Sequence, residues 1–334
     1  MAQTSPEPPS DQPTGDDSIQ FTCNLCGKGN RSLVTELDRE ASSCGSCGSN
    51  VRTRSLLRAL SLELFGVSLP LPDFPYMKSV RGIGTSDTAQ YAAILAGKFD
   101  YKNTFHDRPP EFDIMHPQEH EFGKYDFVIS SEVFEHVPPP VESAFSNVLR
   151  LLKPNGVLVF TVPYSIEDQT LEHYPDLHEY TVARLGESSV LLNRTPGGHL
   201  QVFENLVFHL GAVPSLEMRQ FAERDLLSML TGVGFGAVRV HSEDYAPFGI
   251  LQSQQWSLPL SARRGDYALG REPAREIMEE LVDAQWRLRE ETDLRKRLQS
   301  EIERLERRAQ TLQTELDRLN RTMWNRVGRK LRLV

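Results

Sequence analysis

The 334-residue chain has only four cysteines, and they fall in two pairs, Cys23 with Cys26 and Cys44 with Cys47. Two residues lie inside each pair, and 17 residues separate Cys26 from Cys44. This spacing matches the C-x2-C, long gap, C-x2-C arrangement of zinc sites. Gly27, Gly45 and Gly48 free the backbone so that the thiolates of each pair converge. Four thiolates complete a closed tetrahedral shell without a position for a reactive water, so the expected Zn2+ is structural. A redox dithiol and unrelated buried thiols are the competing readings. No cysteine is left for a disulfide framework, and the N-terminus lacks the basic start and apolar core of a signal peptide. Both features read as a reducing, cytoplasmic setting.

A second group of residues lies in "YDFVISSEVFEHVPPP", 125–140. A short apolar strand, Phe127 to Ile129, opens into Ser130, Ser131 and Glu132, with Glu135 and His136 one turn later. Upstream, "VRGIGTSD" sets Gly82 and Gly84 after a predicted strand and before a predicted helix. Glycines in such a turn let the backbone approach a ligand, and the helix N-terminus adds free N–H donors. In a doubly wound sheet, ligands bind outside the carboxyl ends of the strands. Those ends fall at residues 82–87, 106–107, 113–114, 130–132 and 163–164. A carboxylate at the second end, Asp107, can accept from a ribose diol, and Asp113 from an adenine amino group.

The elements that must position these residues alternate. Strands are expected at 78–84, 102–107, 111–114, 125–130, 156–163, 237–244 and 255–262. Helices are expected at 51–66, 86–99, 140–156 and 223–235, from apolar spacing and from stops such as Pro154 and Gly156. Such alternation predicts an α/β fold with a parallel sheet covered on both faces. Residues 164–218 break the rhythm with hairpin-like stretches at 180–194 and 197–211, and read as an insertion. The expected organisation is a disordered leader at 1–19, a zinc ribbon and helix at 20–68, and the α/β domain at 76–265. A coiled coil at 274–325 and a basic tail at 326–334 complete it.

"FDI…YDFVISSEVFEHVPPPVESAFSNVLRLLKPNGVLVFTVPY" resembles the central part of class I S-adenosylmethionine-dependent methyltransferases. The likeness lies in an acidic residue after the third strand, the fourth strand with its Glu-His, a helix ending in Leu-Lys-Pro, and the fifth strand. It spans roughly 78–262 and implies a Rossmann-like sheet that binds S-adenosylmethionine. By this resemblance Gly82, Gly84, Asp107, Asp113, Ser131 and Glu132 are cofactor-binding residues. With the cysteine pairs and the insertion, the whole is similar to bacterial zinc-ribbon proteins associated with surface-glycan synthesis. That implies a glycan or other small-molecule acceptor. The chain departs from the family at the glycine turn, where Val80 stands in place of the acidic residue and Thr85 and Ser86 follow Gly84.

Methyl transfer needs two reactants held close and aligned, and an oxygen or nitrogen acceptor often needs a base. The candidate catalytic residues are His136, His173 and His178, with Glu179 beside the last. His199 and His209 lie further into the insertion. Tyr174, Tyr180, Phe203 and Phe208 either stack on a sugar or form the insertion's own core.

Apolar residues from Ile277 to Met323 recur in alternating steps of four and three, broken at Glu291 and Arg295. This heptad pattern predicts a homodimer through a parallel coiled coil; a long solvated helix is the other reading. The tail interleaves Arg326, Arg329, Lys330 and Arg332 with Val327, Leu331 and Leu333, a pattern suited to weak contact with an anionic membrane surface. The formal net charge of −9 argues against general nucleic-acid binding. Two rivals remain: an RNA methyltransferase whose ribbon reads RNA through Arg31, Arg39, Arg52, Arg54 and Arg58, and an inactive scaffold assembled through its coiled coil.

Overall fold

The computed structural model describes residues 17–186, 188–209, 215–265 and 272–331. A hairpin of β1 (Ser18–Thr22) and β2 (Gly29–Leu33) opens the chain, and helix α1 (Val51–Phe65) follows the second cysteine pair. The Asn50 side chain caps α1 by accepting from the Thr53 N–H at 2.9 Å, and Gly66 ends it in the left-handed conformation. Next come β3 (Met77–Thr85), α2 (Ala89–Lys98), β4 (Phe99–Thr104), β5 (Tyr125–Ser131), α3 (Val141–Leu151) and β6 (Leu152–Thr161). The expected insertion carries short strands: β7 (Tyr164–Ser165), β8 (Leu171–Glu172), β9 (Glu179–Leu185), β10 (Ser188–Arg194), β11 (Leu200–Phe203), β12 (Phe208–His209) and β13 (Ser215–Leu216). Strand β14 (Arg219–Ala222), helix α4 (Glu223–Val233), β15 (Ala237–Val240) and β16 (Leu260–Arg263) follow it.

The central sheet runs β15-β16-β6-β5-β3-β4. Strands β4, β3, β5 and β6 are parallel, and β16 is antiparallel to both of its neighbours. The sheet is thus mixed, and its strands bury both faces through the period-2 alternation of side chains. On one face Val128, Leu158, Phe160, Leu260 and Ala262 pack with Phe145 and Val148 of α3 and Leu226 and Leu230 of α4. On the other, Ser261 and Arg263 of β16 each donate to the Glu63 carboxylate of α1 at 2.8 Å. The Phe127 ring on that face meets Phe99 and Tyr101, with centroids 5.4 and 5.8 Å away. Helices therefore cover both faces, and α1 is one of them. Residues up to Arg271 form one unit, so the boundaries expected at 68 and 76 fall inside it.

Several local expectations are corrected. The leader 1–19 lies outside the described residues up to 16, but Ser18 and Ile19 are already paired in β1. The strand expected at 102–107 begins earlier, at Phe99, and ends at Thr104. No strand forms at 111–114; Glu111 makes only an isolated bridge to Phe105. The helix expected to reach 156 stops at Leu151, because Leu152 already pairs with Tyr125. Gly82 and Gly84 lie within β3 rather than in a turn. A Cβ at Gly82 would collide with the Phe127 ring, and one at Gly84 with Asp87 and the Tyr101 hydroxyl. Both glycines make room for protein side chains. The insertion has a small core of Tyr174, Leu177, Leu191 and Met218, so Tyr174 packs inside the protein.

The second unit is helix α5 (Glu272–Leu331), which takes in the heptads and the first part of the basic tail. Residues 332–334 lie outside the described residues. Leu298, Ile302, Leu305, Leu312, Leu316 and Leu319 are exposed along it. Among the described residues, no helix is long and apolar enough to cross a membrane.

The close approach of Phe127 to Gly82 yields a stability prediction. Gly82→Ala should lower unfolding free energy by about 1–3 kcal/mol, the usual cost of overpacking a core, as read from urea midpoints.

Candidate functional site

The two CxxC turns bring their sulfurs together. All four Sγ atoms of Cys23, Cys26, Cys44 and Cys47 lie within 4.8 Å of one another. Cys23 and Cys47 are 3.7 Å apart, and Cys26 and Cys44 3.8 Å. A regular tetrahedron with Zn–S bonds of about 2.3 Å has edges of about 3.8 Å, so the donor set and its spacing fit a zinc ion. The Ser49 hydroxyl lies 3.2 Å from Cys23 Sγ and ties the cluster to its surroundings.

The carboxyl ends of β3, β4, β5 and β6 carry Thr85, Thr104, Ser131 and Thr161, a row of small hydroxyl residues. The chain leaves β3 toward β4 on one side and returns to β5 on the other, so the topological switch lies between β3 and β5. Ligands of open α/β sheets bind at such a switch. On the β3 side, Asp87 is buried, and its Oδ1 accepts from the Tyr91 hydroxyl at 2.7 Å while its Oδ2 accepts from the Tyr101 hydroxyl. Burial pushes the Asp87 carboxyl up to about 7, against the opposing effect of the two hydroxyls.

On the β5 side, Glu132 sits in the left-handed region at φ 55°, a strained conformation for a residue with a side chain. Its N–H donates to the Thr161 carbonyl at 2.9 Å. Two arginines from the cysteine-bearing segment reach this point. Arg39 Nη2 is 2.8 Å from Glu132 Oε1, and Arg52 Nη1 donates to Ser131 Oγ at 2.6 Å. Ser131 Oγ lies 3.0 Å from Thr161 Oγ1.

Below Glu132, Glu135 is fully buried, and neither carboxylate oxygen has a hydrogen-bond partner. Burial raises its carboxyl well above the usual range, and the nearby charges of Glu132 and Glu217 add to the effect. His136 Nε2 lies 3.7 Å from Glu135 Oε1. His136 Nδ1 is 2.9 Å from the Leu216 carbonyl, which can only accept, so Nδ1 carries the ring proton and Nε2 is left as an acceptor. Ser215 Oγ lies 3.4 Å from Nε2. His173 Nε2 is 3.3 Å from Glu217 Oε1.

The structure therefore gathers Ser131, Glu132, Glu135 and His136 with His173 and Glu217 close by. His178 is exposed at the start of the insertion's sheet, and only its backbone N–H, donating to Asn193, is fixed. Asp107 is exposed beyond β4. Asp113 accepts from the Met115 N–H at 2.8 Å and lies 2.9 Å from His116 Nδ1. Burial raises the Asp113 carboxyl, but His116 and the Met115 N–H outweigh it and hold it below its ordinary value. In the sequence Arg39 and Arg52 are candidates only for RNA contact, and Asp87 and Glu135 fall within the stretches 82–87 and 125–140 without a role of their own. A groove of about 730 Å³ lies elsewhere, between the start of α3, α4 and the insertion, and no residue from the carboxyl ends of β3 to β6 lines it.

Residues 57–204 match the family model of a methyltransferase domain. That match supports an S-adenosylmethionine-dependent methyltransferase. No curated protein matches the chain. Among solved structures, the chain is similar to the 1,6-didemethyltoxoflavin N1-methyltransferase of Burkholderia thailandensis, at 14% identity over 64% of this chain and 79% of that one, with a TM-score of 0.34. It is also similar to CalS10, an amino pentose methyltransferase from Micromonospora echinaspora, at 12% identity over 65% and 93%, with a TM-score of 0.36. A third is the sugar N-methyltransferase KedS8 from Streptoalloteichus, at 13% identity over 66% and 90%, with a TM-score of 0.37.

Asp87 yields a pH prediction. A carboxyl whose folded pKa is raised stabilises the fold fully below its unfolded pKa, and that contribution is lost as pH rises through the folded value. Between the ordinary 3.8 and about 7 the loss amounts to at most about 4 kcal/mol. Urea midpoints measured at pH 5 and pH 8 should fall less for Asp87→Asn than for the natural protein.

Proposed function

We propose that this chain is an S-adenosylmethionine-dependent methyltransferase that O-methylates a glycan or sugar-derived acceptor at the carboxyl ends of β3 to β6. The observation that carries the reading is the methyltransferase-domain match at residues 57–204, which spans all four of those strands. The acceptor class follows from the resemblance of the cysteine pairs and the insertion to surface-glycan-associated proteins. The arginines near the cysteine pairs favour this over RNA binding: Arg39, Arg52, Arg54 and Arg58 all engage protein groups.

The strand-end residues fit a nucleoside linked to an amino acid. Asp107 would accept from the ribose diol and Asp113 from the adenine amino group. Ser131 and Glu132 would face the amino-acid part, and Gly82 and Gly84 keep β3 thin enough for Phe127 and Tyr101 to close the floor beneath it. When bound, the cofactor supplies a methyl carbon on a positively charged sulfur. The chain's own work is to align the acceptor and take its proton. His136 Nε2 suits that role, because Nδ1 donates to the Leu216 carbonyl and Nε2 is the accepting nitrogen, with the buried Glu135 carboxyl 3.7 Å behind it. His173 beside Glu217 is a second candidate, and His178 stands further out. His136→Gln should lower kcat by about 10²–10⁴-fold while S-adenosylhomocysteine affinity changes little, as read by single-turnover kinetics with any acceptor found to react.

We read the four-cysteine cluster as a structural Zn2+ site and α5 as the dimer-forming coiled coil. Zinc analysis should give one ion per chain, lost in Cys44→Ser. Exposed leucines along α5 support pairing with a second copy. Sedimentation should show a dimer that the double change Leu305→Asp, Leu312→Asp converts to monomer.

Titration calorimetry with S-adenosylhomocysteine tests the central reading. Micromolar binding, weakened by Asp113→Ala, is the expected result. Absence of binding to folded, zinc-loaded protein would instead favour a methyltransferase-fold scaffold, a reading to which the filled space at Gly84 lends support.

A further inference from the structure

Arg39 and Arg52 converge on one carboxylate, that of Glu40. Arg52 Nε is 2.8 Å from Glu40 Oε1 and Arg52 Nη2 is 2.9 Å from Oε2, a bidentate pair, and Arg39 Nη1 also meets Oε1. The guanidiniums are held from behind. Arg39 Nε donates to the Ser257 carbonyl at 2.9 Å, and Arg52 Nη1 to Ser131 Oγ at 2.6 Å. Their side chains are 17% and 20% exposed, whereas that of Glu40 is 51% exposed. Apart from the two arginines, the carboxylate has only a long 3.4 Å contact from Asn50 Nδ2. The fork is fixed, and its occupant is on the solvent side.

The fork stands at the topological switch, over the end of β5. We propose that Arg39 and Arg52 form a binding site for the carboxylate of the methyl donor's amino-acid end, and that Glu40 fills this site as a resident substitute which the donor displaces. The proposal rests on the methyltransferase reading. Charge supports it. Two guanidiniums face Glu40 and Glu132, and exchanging Glu40 for a ligand carboxylate leaves that balance intact. Glu132, 2.8 Å from Arg39 Nη2, then stands where an ammonium next to that carboxylate finds an acceptor. A zwitterionic amino acid presents this combination of charges. Asp107 follows the end of β4, and Asp113 precedes Ile114 and Met115, whose carbonyls accept from Asn147 of α3. Arginine is the side chain matched to a carboxylate in this two-point manner.

The test is titration calorimetry on the full-length protein, Glu40→Gln and Arg52→Ala, with two ligands. S-adenosylhomocysteine carries the amino-acid end, and 5′-methylthioadenosine has the nucleoside and sulfur without it. Glu40→Gln should bind S-adenosylhomocysteine about tenfold tighter, and Arg52→Ala about tenfold weaker or worse. Affinity for 5′-methylthioadenosine should stay within about twofold in both. Should Arg52→Ala not fold, the Glu40→Gln result decides alone. Unchanged or weakened S-adenosylhomocysteine binding by Glu40→Gln overturns the proposal and leaves the methyltransferase reading standing, as does a parallel shift for both ligands. If neither ligand binds the natural protein or Glu40→Gln, both fall together.

Discussion

The Arg54 guanidinium is wholly buried between the cysteine cluster and the loop that precedes β16. A buried charge is costly unless hydrogen bonds replace its water. Arg54 Nη1 donates to the Ser49 carbonyl at 2.9 Å, and Nη2 to Ser43 Oγ and the Gly249 carbonyl, each at 2.9 Å. The guanidinium also lies 4.9 Å from the centre of the Phe21 ring, which packs tightly on Gly249. One side chain thus joins the first hairpin, the turn around Ser49 that touches Cys23, and a loop nearly two hundred residues away. Arg54 also lies on α1, whose Glu63 is bound by Ser261 and Arg263 of β16. With α1 fixed at both places, Arg52, two residues before Arg54, is delivered to the tip of β5.

The cysteine-bearing segment is therefore part of the sheet unit. Its helix covers a face that would otherwise expose apolar strands, and its arginines reach the strand ends where the methyl donor is proposed to lie. The methyltransferase-domain match starts at residue 57, inside α1, which agrees with that helix belonging to the domain. On this account a metal held by the four thiols would act at a distance, by keeping Arg39 and Arg52 in register with Ser131 and Glu132.

What was legible in the sequence was local. The β5 strand could be read from Phe127, Val128 and Ile129, α1 from its leucine spacing, and the converging thiols from two CxxC pairs. The glycines were legible as special positions but not as packing positions, because the Phe127 and Tyr101 rings that fill them come from other strands. Glu135 stood in view beside His136. Its importance comes from burial without a partner for its carboxylate, which depends on the insertion, whose Met218 N–H donates to the Glu135 carbonyl at 2.7 Å. Arg39 and Arg52 were legible only as basic residues open to RNA, since their partners Glu132 and Ser131 lie 93 and 79 residues away. Long-range pairing of this kind is set by the fold, and a single sequence has no period or motif that encodes it.

Hydrogen exchange measured on Arg54→Lys, which keeps the charge but loses the planar fork, tests most directly whether the cysteine-bearing segment positions the strand ends. The account predicts faster exchange in residues 18–50 together with the ends of β5 and β6, while α3 and α4 on the opposite face stay protected. Faster exchange confined to residues 18–50, with residues 129–132 and 159–162 unchanged, would contradict it.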